Sequence, residues 1–161
     1  MNQFNKHPHL SFPCAFPLPE VPNGLRQFKV GVNTALLPDL TTSTFVPLST
    51  VSITINNPND IIRFMATIYS QTVFSTVSSN PPNATVIGFR IRRIAPAATI
   101  HSVQNTDFDE LTTTFTAFDK PGVGTFLYIL EGNLVRRTNP PNTNIEDILS
   151  VILTAEEIAP N

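Results

Sequence analysis

Apolar and polar residues alternate with a period of two along most of the chain. Successive side chains of a strand point to opposite faces, so this period predicts half-buried β-strands. In Thr50–Ile55, Val51, Ile53 and Ile55 alternate with Thr50, Ser52 and Thr54. Over Ile61–Ser70, Ile62, Phe64, Ala66 and Ile68 fall on one face, and Arg63, Met65, Thr67 and Tyr69 on the other. Gln71–Val77 extends this strand past a bend. Thr85–Ile94 places Ile87, Phe89 and Ile91 inside and Gly88, Arg90 and Arg92 outside. Further strands are predicted over Gln27–Leu36, Ala98–Val103 and Glu110–Phe118, with a short strand or loop over Leu134–Thr138. The breaks between them are a loop with Pro38 and Pro47, a turn over Asn56–Asp60 and a Pro-Pro turn over Ser78–Asn83. Short strands at this spacing, punctuated by Pro, Asn and Gly, predict an all-β sandwich or barrel.

Two stretches depart from simple alternation. Asp119–Gly124 is a turn: Pro121 fixes φ, Gly122 and Gly124 allow positive φ, and Asp119 can bond its own backbone. The strand that follows, Thr125–Leu130, is apolar on both faces, with Phe126, Tyr128 and Leu130 on one and Leu127 and Ile129 on the other. A strand of that kind is covered on both faces. A second sheet covers one; the other is expected to meet another copy of the chain, so Phe126, Leu127, Tyr128 and Ile129 are the expected subunit interface. The tail reads two ways. Asn144–Asp147 can cap a helix with Ile145, Ile148, Leu149, Ile152 and Ala155 on one face, or Ile148–Glu156 is a last buried strand.

Residues 1–24 follow a different rule. A proline every few residues, from His7-Pro-His9 through Phe16-Pro-Leu18-Pro-Glu20 to Val21-Pro22, favours extended backbone. Yet Leu10, Phe12, Phe16 and Leu18 are too apolar for a solvated linker. The stretch is expected to be an arm and connector that lies along another surface, with 25–161 as the folded domain. Its assembly contacts are expected at Leu10, Phe12, Cys14, Phe16 and Leu18. At about 3.1 to 3.3 Å per extended residue the arm reaches on the order of 70 Å, beyond the width of one such domain.

Composition narrows the function. Only 14% of the 161 residues are charged, the net charge is −2 and the pI about 5.8. That balance excludes a strongly basic nucleic-acid surface and suits a surface largely buried in an assembly or exposed outside the cytoplasm. No apolar run is long enough to span a bilayer, and Met1–Leu10 carries no charged-then-apolar signal pattern, so no classical secretion route is expected. Cys14 is the single cysteine; no intrachain disulfide is possible, and it is either inert or a cross-link to another subunit.

Candidate chemistry is sparse. His7, His9 and His101 are too scattered for a metal site with recognisable spacing. Asp107, Asp109, Glu110 and Asp119 are read as one acidic loop that can hold calcium or pair with the arginines of another subunit. Those arginines are Arg90, Arg92 and Arg93, followed by Arg136 and Arg137. Gly122-x-Gly124 opens no helix and is a turn, not a phosphate loop. Asn83-Ala-Thr85 is a formal glycosylation sequon. No catalytic, cofactor or metal residue is expected.

Several of these segments together resemble a known pattern. Val51–Ile55, the turn Asn57-Pro-Asn-Asp60, the strand Ile61–Tyr69 and Phe89-Arg-Ile-Arg-Arg93 are followed by Asp119, Pro121, Gly122, Gly124, Thr125, Tyr128 and Leu130 in a fixed order. Ser150 and Leu153-Thr-Ala-x-Glu157 close the series. Over roughly residues 45–158 the chain resembles bacterial jelly-roll domains of the tumour-necrosis-factor/complement type, found on spore-surface, exosporium and phage-borne proteins. It lacks the Gly-x-y repeat of the collagen-tipped members. The arm's Phe16–Pro22 rhythm resembles the Pro-rich leader of exosporium proteins.

The resemblance implies a jelly-roll β-sandwich with an extended Pro-rich N-terminal arm and a C-terminal strand rather than a helix. It implies a non-enzymatic structural subunit, a homo-oligomer, as a trimer and then a filament, of an endospore appendage or exosporium layer. Other spore-surface proteins are possible partners; nucleic acid, membrane and cofactor are not expected. Two rivals share the fold: a phage fibre-head protein, and a ligand-binding module. The absence of Trp, with both Tyr in strands, argues against a glycan-stacking lectin.

Overall fold

A computed structural model describes residues 24–41, 43–73, 85–107, 109–137 and 145–160. The described residues form nine strands: β1 (Leu25–Val30), β2 (Val32–Asn33), β3 (Val46–Ile55), β4 (Ile61–Val73), β5 (Thr85–Arg93), β6 (Ala98–Asp107), β7 (Glu110–Asp119), β8 (Gly124–Arg137) and β9 (Ile145–Ile158). They pair antiparallel into a four-stranded sheet, β1-β9-β4-β7, and a five-stranded sheet, β2-β3-β8-β5-β6. Each chain-neighbouring pair β3–β4 and β4–β5 crosses from one sheet to the other, and β8 and β9 return between strands laid down early. That order is a jelly roll.

The inward positions of the alternating strands make the core. Ile62, Phe64, Ala66 and Ile68 of β4 face Ile87, Phe89 and Ile91 of β5, and Phe126, Tyr128 and Leu130 of β8. The Phe64 and Tyr128 rings meet between the sheets with centroids 4.6 Å apart. The segment between β2 and β3 closes one side: Leu40 is fully buried and bridges to Glu146 of β9.

The structure corrects several sequence expectations. The predicted first strand is two short ones, since the chain passes from one sheet to the other at Gly31. Pro47 lies inside β3, not in a loop, next to a bulge between Pro47 and Ser49 where an absent N–H costs no regular ladder bond. Leu134 is not a separate element; β8 runs from Gly124 to Arg137, because Glu131 to Leu134 continue the ladder with β5. The tail, which local pattern left open, is the strand that the resemblance implies: β9, inserted between β1 and β4. A register shift opposite Tyr69 and Ser70 changes which residues point inward, from Glu146 and Ile148 to Val151, Leu153 and Ala155. That break in the period of two, with Leu149 and Ile152 outward, is what imitates a helical stripe.

Candidate assembly surface

The turn and strand that dominate the sequence have two different fates. Gly122 and Gly124 adopt φ of 88° and 145°, values an L side chain rarely takes, so the turn needs glycine at both. Asp119, at its start, reaches side chains of two other strands. Its Oδ2 accepts the Tyr128 hydroxyl at 2.8 Å and the Arg93 Nη1 at 2.6 Å, while Arg93 Nε donates to Pro96 O at 2.9 Å. Burial, then this bond to the carboxylate, push the Tyr128 hydroxyl far above its ordinary pKa.

Phe126 and Tyr128, expected at a subunit interface, are buried in the core of their own chain. Only Leu127, 44% exposed, and the half-buried Ile129 face outward. They sit among polar partners: Ser52 is opposite Leu127, and Thr50 and Arg92 flank Ile129. Farther along β8 the outer face is covered by the chain itself. Asn133 Nδ2 donates to Ser43 O at 2.9 Å, and the Arg90 guanidinium stacks 3.8 Å over the Phe45 ring. A second copy is therefore not needed to cover that part of the strand, because the segment before β3 covers it.

Arg90, Arg92 and Arg93 pair within the chain. Arg90 Nε and Arg92 Nη2 lie 2.7 and 2.9 Å from the Glu131 carboxylate. Burial pushes Glu131 up, but the bonds from Arg92 and Arg90 outweigh it and hold the carboxyl below its ordinary value. The acidic loop is divided as well. Asp107, Asp109 and Glu110 lie where β6 turns into β7, whereas Asp119 ends β7 at its far end. Among the described residues no group of three or more His, Cys, Asp or Glu is placed to hold a metal ion. His101 packs against Phe115. The arm residues Leu10, Phe12, Cys14, Phe16 and Leu18, together with His7, His9 and Asn83, lie outside the described residues.

The most apolar outer surface is the four-stranded sheet. In register across it, Phe28, Glu156, Arg63 and Phe118 form one row and Val30, Thr154, Met65 and Thr116 the next. Ile152, Thr67 and Thr114 follow. Phe28, Val30, Met65, Phe118 and Ile152 are each about half exposed, between 48% and 61%. The Arg63 guanidinium pairs with Glu156 across β4 and β9, which leaves the face without net charge there. Threonines tie the strands together, with Thr67 and Thr114 hydroxyls 3.1 Å apart. Arg63, Met65, Thr116, Phe118 and Glu156 line a shallow depression of about 270 Å³. Half-exposure of five large side chains leaves on the order of 500 Å² of apolar surface, the size that marks interaction sites.

Sequence reasoning missed this face. Its signal was present in Met65 on the outer side of β4 and in Leu149 and Ile152 on the outer side of β9, but a shifted register hid the second. Residues from four strands, β1, β4, β7 and β9, come together only in the sheet. No family model matches the chain, and no curated protein matches it.

Proposed function

We propose that the chain is a non-enzymatic structural subunit that self-associates through the outer face of its four-stranded sheet and assembles further into a spore-surface fibre or layer. The observation that carries this reading is the neutral apolar face of Phe28, Val30, Met65, Phe118 and Ile152. A face without net charge meets a second copy of itself without like-charge repulsion, and burying it removes from water the surface that soluble monomers avoid. The motif resemblance supports a trimer, and it alone supports the spore surface as the location. The proline-spaced arm serves as the connector between such units.

Light scattering of the full-length protein across concentration tests the first step, and negative-stain microscopy the second. Met65→Lys should give monomers while wild type and Leu127→Asp assemble. A monodisperse wild-type monomer at high concentration removes the reading. If Leu127→Asp dissociates the assembly and Met65→Lys does not, the outer face of β8 is the interface instead. Discrete wild-type particles without lengthening, bound to a phage virion component, would favour the fibre-head alternative.

A further inference from the structure

One end of the sandwich interior is polar. Ser70 and Thr72 of β4, Thr85 of β5, Asp107 of β6 and Glu146 of β9 converge there from both sheets. Asp107 is 1% exposed and Glu146 0%. Each carboxyl has one satisfied oxygen: Thr72 Oγ1 donates to Glu146 Oε2 at 2.8 Å, and the Asp109 N–H donates to Asp107 Oδ1 at 2.9 Å. The other oxygens, Glu146 Oε1 and Asp107 Oδ2, receive no donor among the described residues. The Thr72 N–H donates to Asp109 O at 2.7 Å while its hydroxyl holds Glu146, so the β6–β7 turn that carries Asp107 is tied to the residue that holds Glu146.

Two ionised carboxylates in contact and out of water repel strongly, and neither is solvated. The opposite end of β9 has a cation for the same problem: Glu157 and Asp60 are buried there, and Arg26 Nε lies 2.6 Å from Asp60 Oδ2. Among the described residues no ion pair reaches Asp107 or Glu146. A single proton between the facing oxygens supplies the missing donor and halves the buried charge. We infer that Asp107 and Glu146 share one proton, and that this proton holds their end of the sandwich shut.

The consequence runs through the Glu146 backbone. Its N–H donates to Leu40 O at 3.2 Å, and its carbonyl accepts the Leu40 N–H at 2.7 Å. Leu40 closes the core at this end. Losing the proton puts two negative charges under that bridge, so the segment around Leu40 is the part that opens. Charges of both signs surround the pair. Asp147 lies beside Asp39, and burial followed by Asp39 pushes its carboxyl up. Asp109 and Glu110 stand at the β6–β7 turn, with Glu110 accepting the Tyr69 hydroxyl at 2.8 Å. β4 presents only the uncharged Ser70, Gln71 and Thr72, while Arg136 and Arg137 on β8 stand in register opposite Val86 and Thr85. Burial, then Asp107, push Glu146 up to about 8. A raised folded value means that the stabilisation is complete below the ordinary carboxylate range and is lost as pH climbs towards 8.

A ¹³C carboxyl titration of the full chain reads Glu146 directly, and thermal unfolding from about pH 5 to about pH 9 reads its effect. The wild-type Tm should fall by roughly 5–10 °C over that range. Glu146→Gln, whose amide N–H replaces the proton, should fold and lose most of the fall; the Leu40 amide of wild type should exchange faster than base catalysis alone explains above about pH 8. The inference is overturned if Glu146 titrates at or below the ordinary carboxylate range, as it would beside a guanidinium from β8. It is also overturned if wild type and Glu146→Gln share one pH slope, or if calcium chloride raises the Tm at high pH more than sodium chloride of equal ionic strength. Should Glu146→Gln fail to fold, the wild-type titration decides alone.

Discussion

Removing the Asp119 carboxylate should cost far more than its place at the edge of a surface turn suggests. Its side chain is 13% exposed, as is that of its partner Arg93. It accepts two charge-assisted bonds, from Arg93 at 2.6 Å and from the Tyr128 hydroxyl at 2.8 Å. Tyr128 is fully buried, so in Asp119→Ala its hydroxyl loses its acceptor. An orphaned buried hydroxyl costs about 1–3 kcal/mol, and breaking a largely buried ion pair by removing one partner costs about 3–5 kcal/mol. The two losses share one carboxylate and do not add, which places Asp119→Ala at about 3–5 kcal/mol. Tyr128→Phe removes donor and demand together, keeps the ring against Phe64, and should cost only about 1–2 kcal/mol. In Tyr128→Phe, the further change Asp119→Ala should be milder than in wild type by about 1 kcal/mol or more. Equilibrium urea unfolding of the four proteins that make this cycle measures all three values. A loss below about 1 kcal/mol for Asp119→Ala, or no coupling to Tyr128, would refute the reasoning that this triad fastens the turn to the core.

Four other outcomes are expected. Ile152→Lys should fold normally, since the site is 55% exposed, yet weaken self-association, raising the dissociation constant by roughly 50-fold per contact from about 100 Å² of lost apolar burial, read by sedimentation velocity. Phe64→Ala should destabilise the monomer by about 3–5 kcal/mol in urea titration, because the ring is fully buried against Tyr128. Glu131 is held below its ordinary value by Arg92 and Arg90, so its contribution is present at neutral pH and lost as pH falls through that lowered value; Glu131→Gln should flatten the acid limb of the Tm–pH curve. Deleting residues 1–24 should leave a domain with β-type circular dichroism and a cooperative melt whose particles no longer lengthen in negative stain; wild-type fibres from the truncated chain would remove the connector role.

Fold class was legible from local pattern because a β-strand writes its burial into every second residue. Ile62 to Ile68 and Ile87 to Ile91 point inward as their alternation requires, and the glycines of the turn before β8 take the positive φ that their placement suggests. Alternation does not say which strand lies beside which, and three ambiguities follow from that. β8 looked covered on both faces because nothing local shows that Leu127 and Ile129 lie on an outer face among Ser52, Thr50 and Arg92. β9 read equally as helix or strand because a register shift against β4 moved its inward positions by one residue. Asp119 looked like a turn residue serving itself, and only the meeting of β5, β7 and β8 gives it Arg93 and Tyr128. The apolar outer face and the buried Asp107–Glu146 pair are also products of sheet order. Their members are separated by dozens of residues and each is unremarkable in its own strand; the hydrogen-bond register assembles the outer face, and the packing of one sheet on the other brings β6 and β9 to the same end of the core.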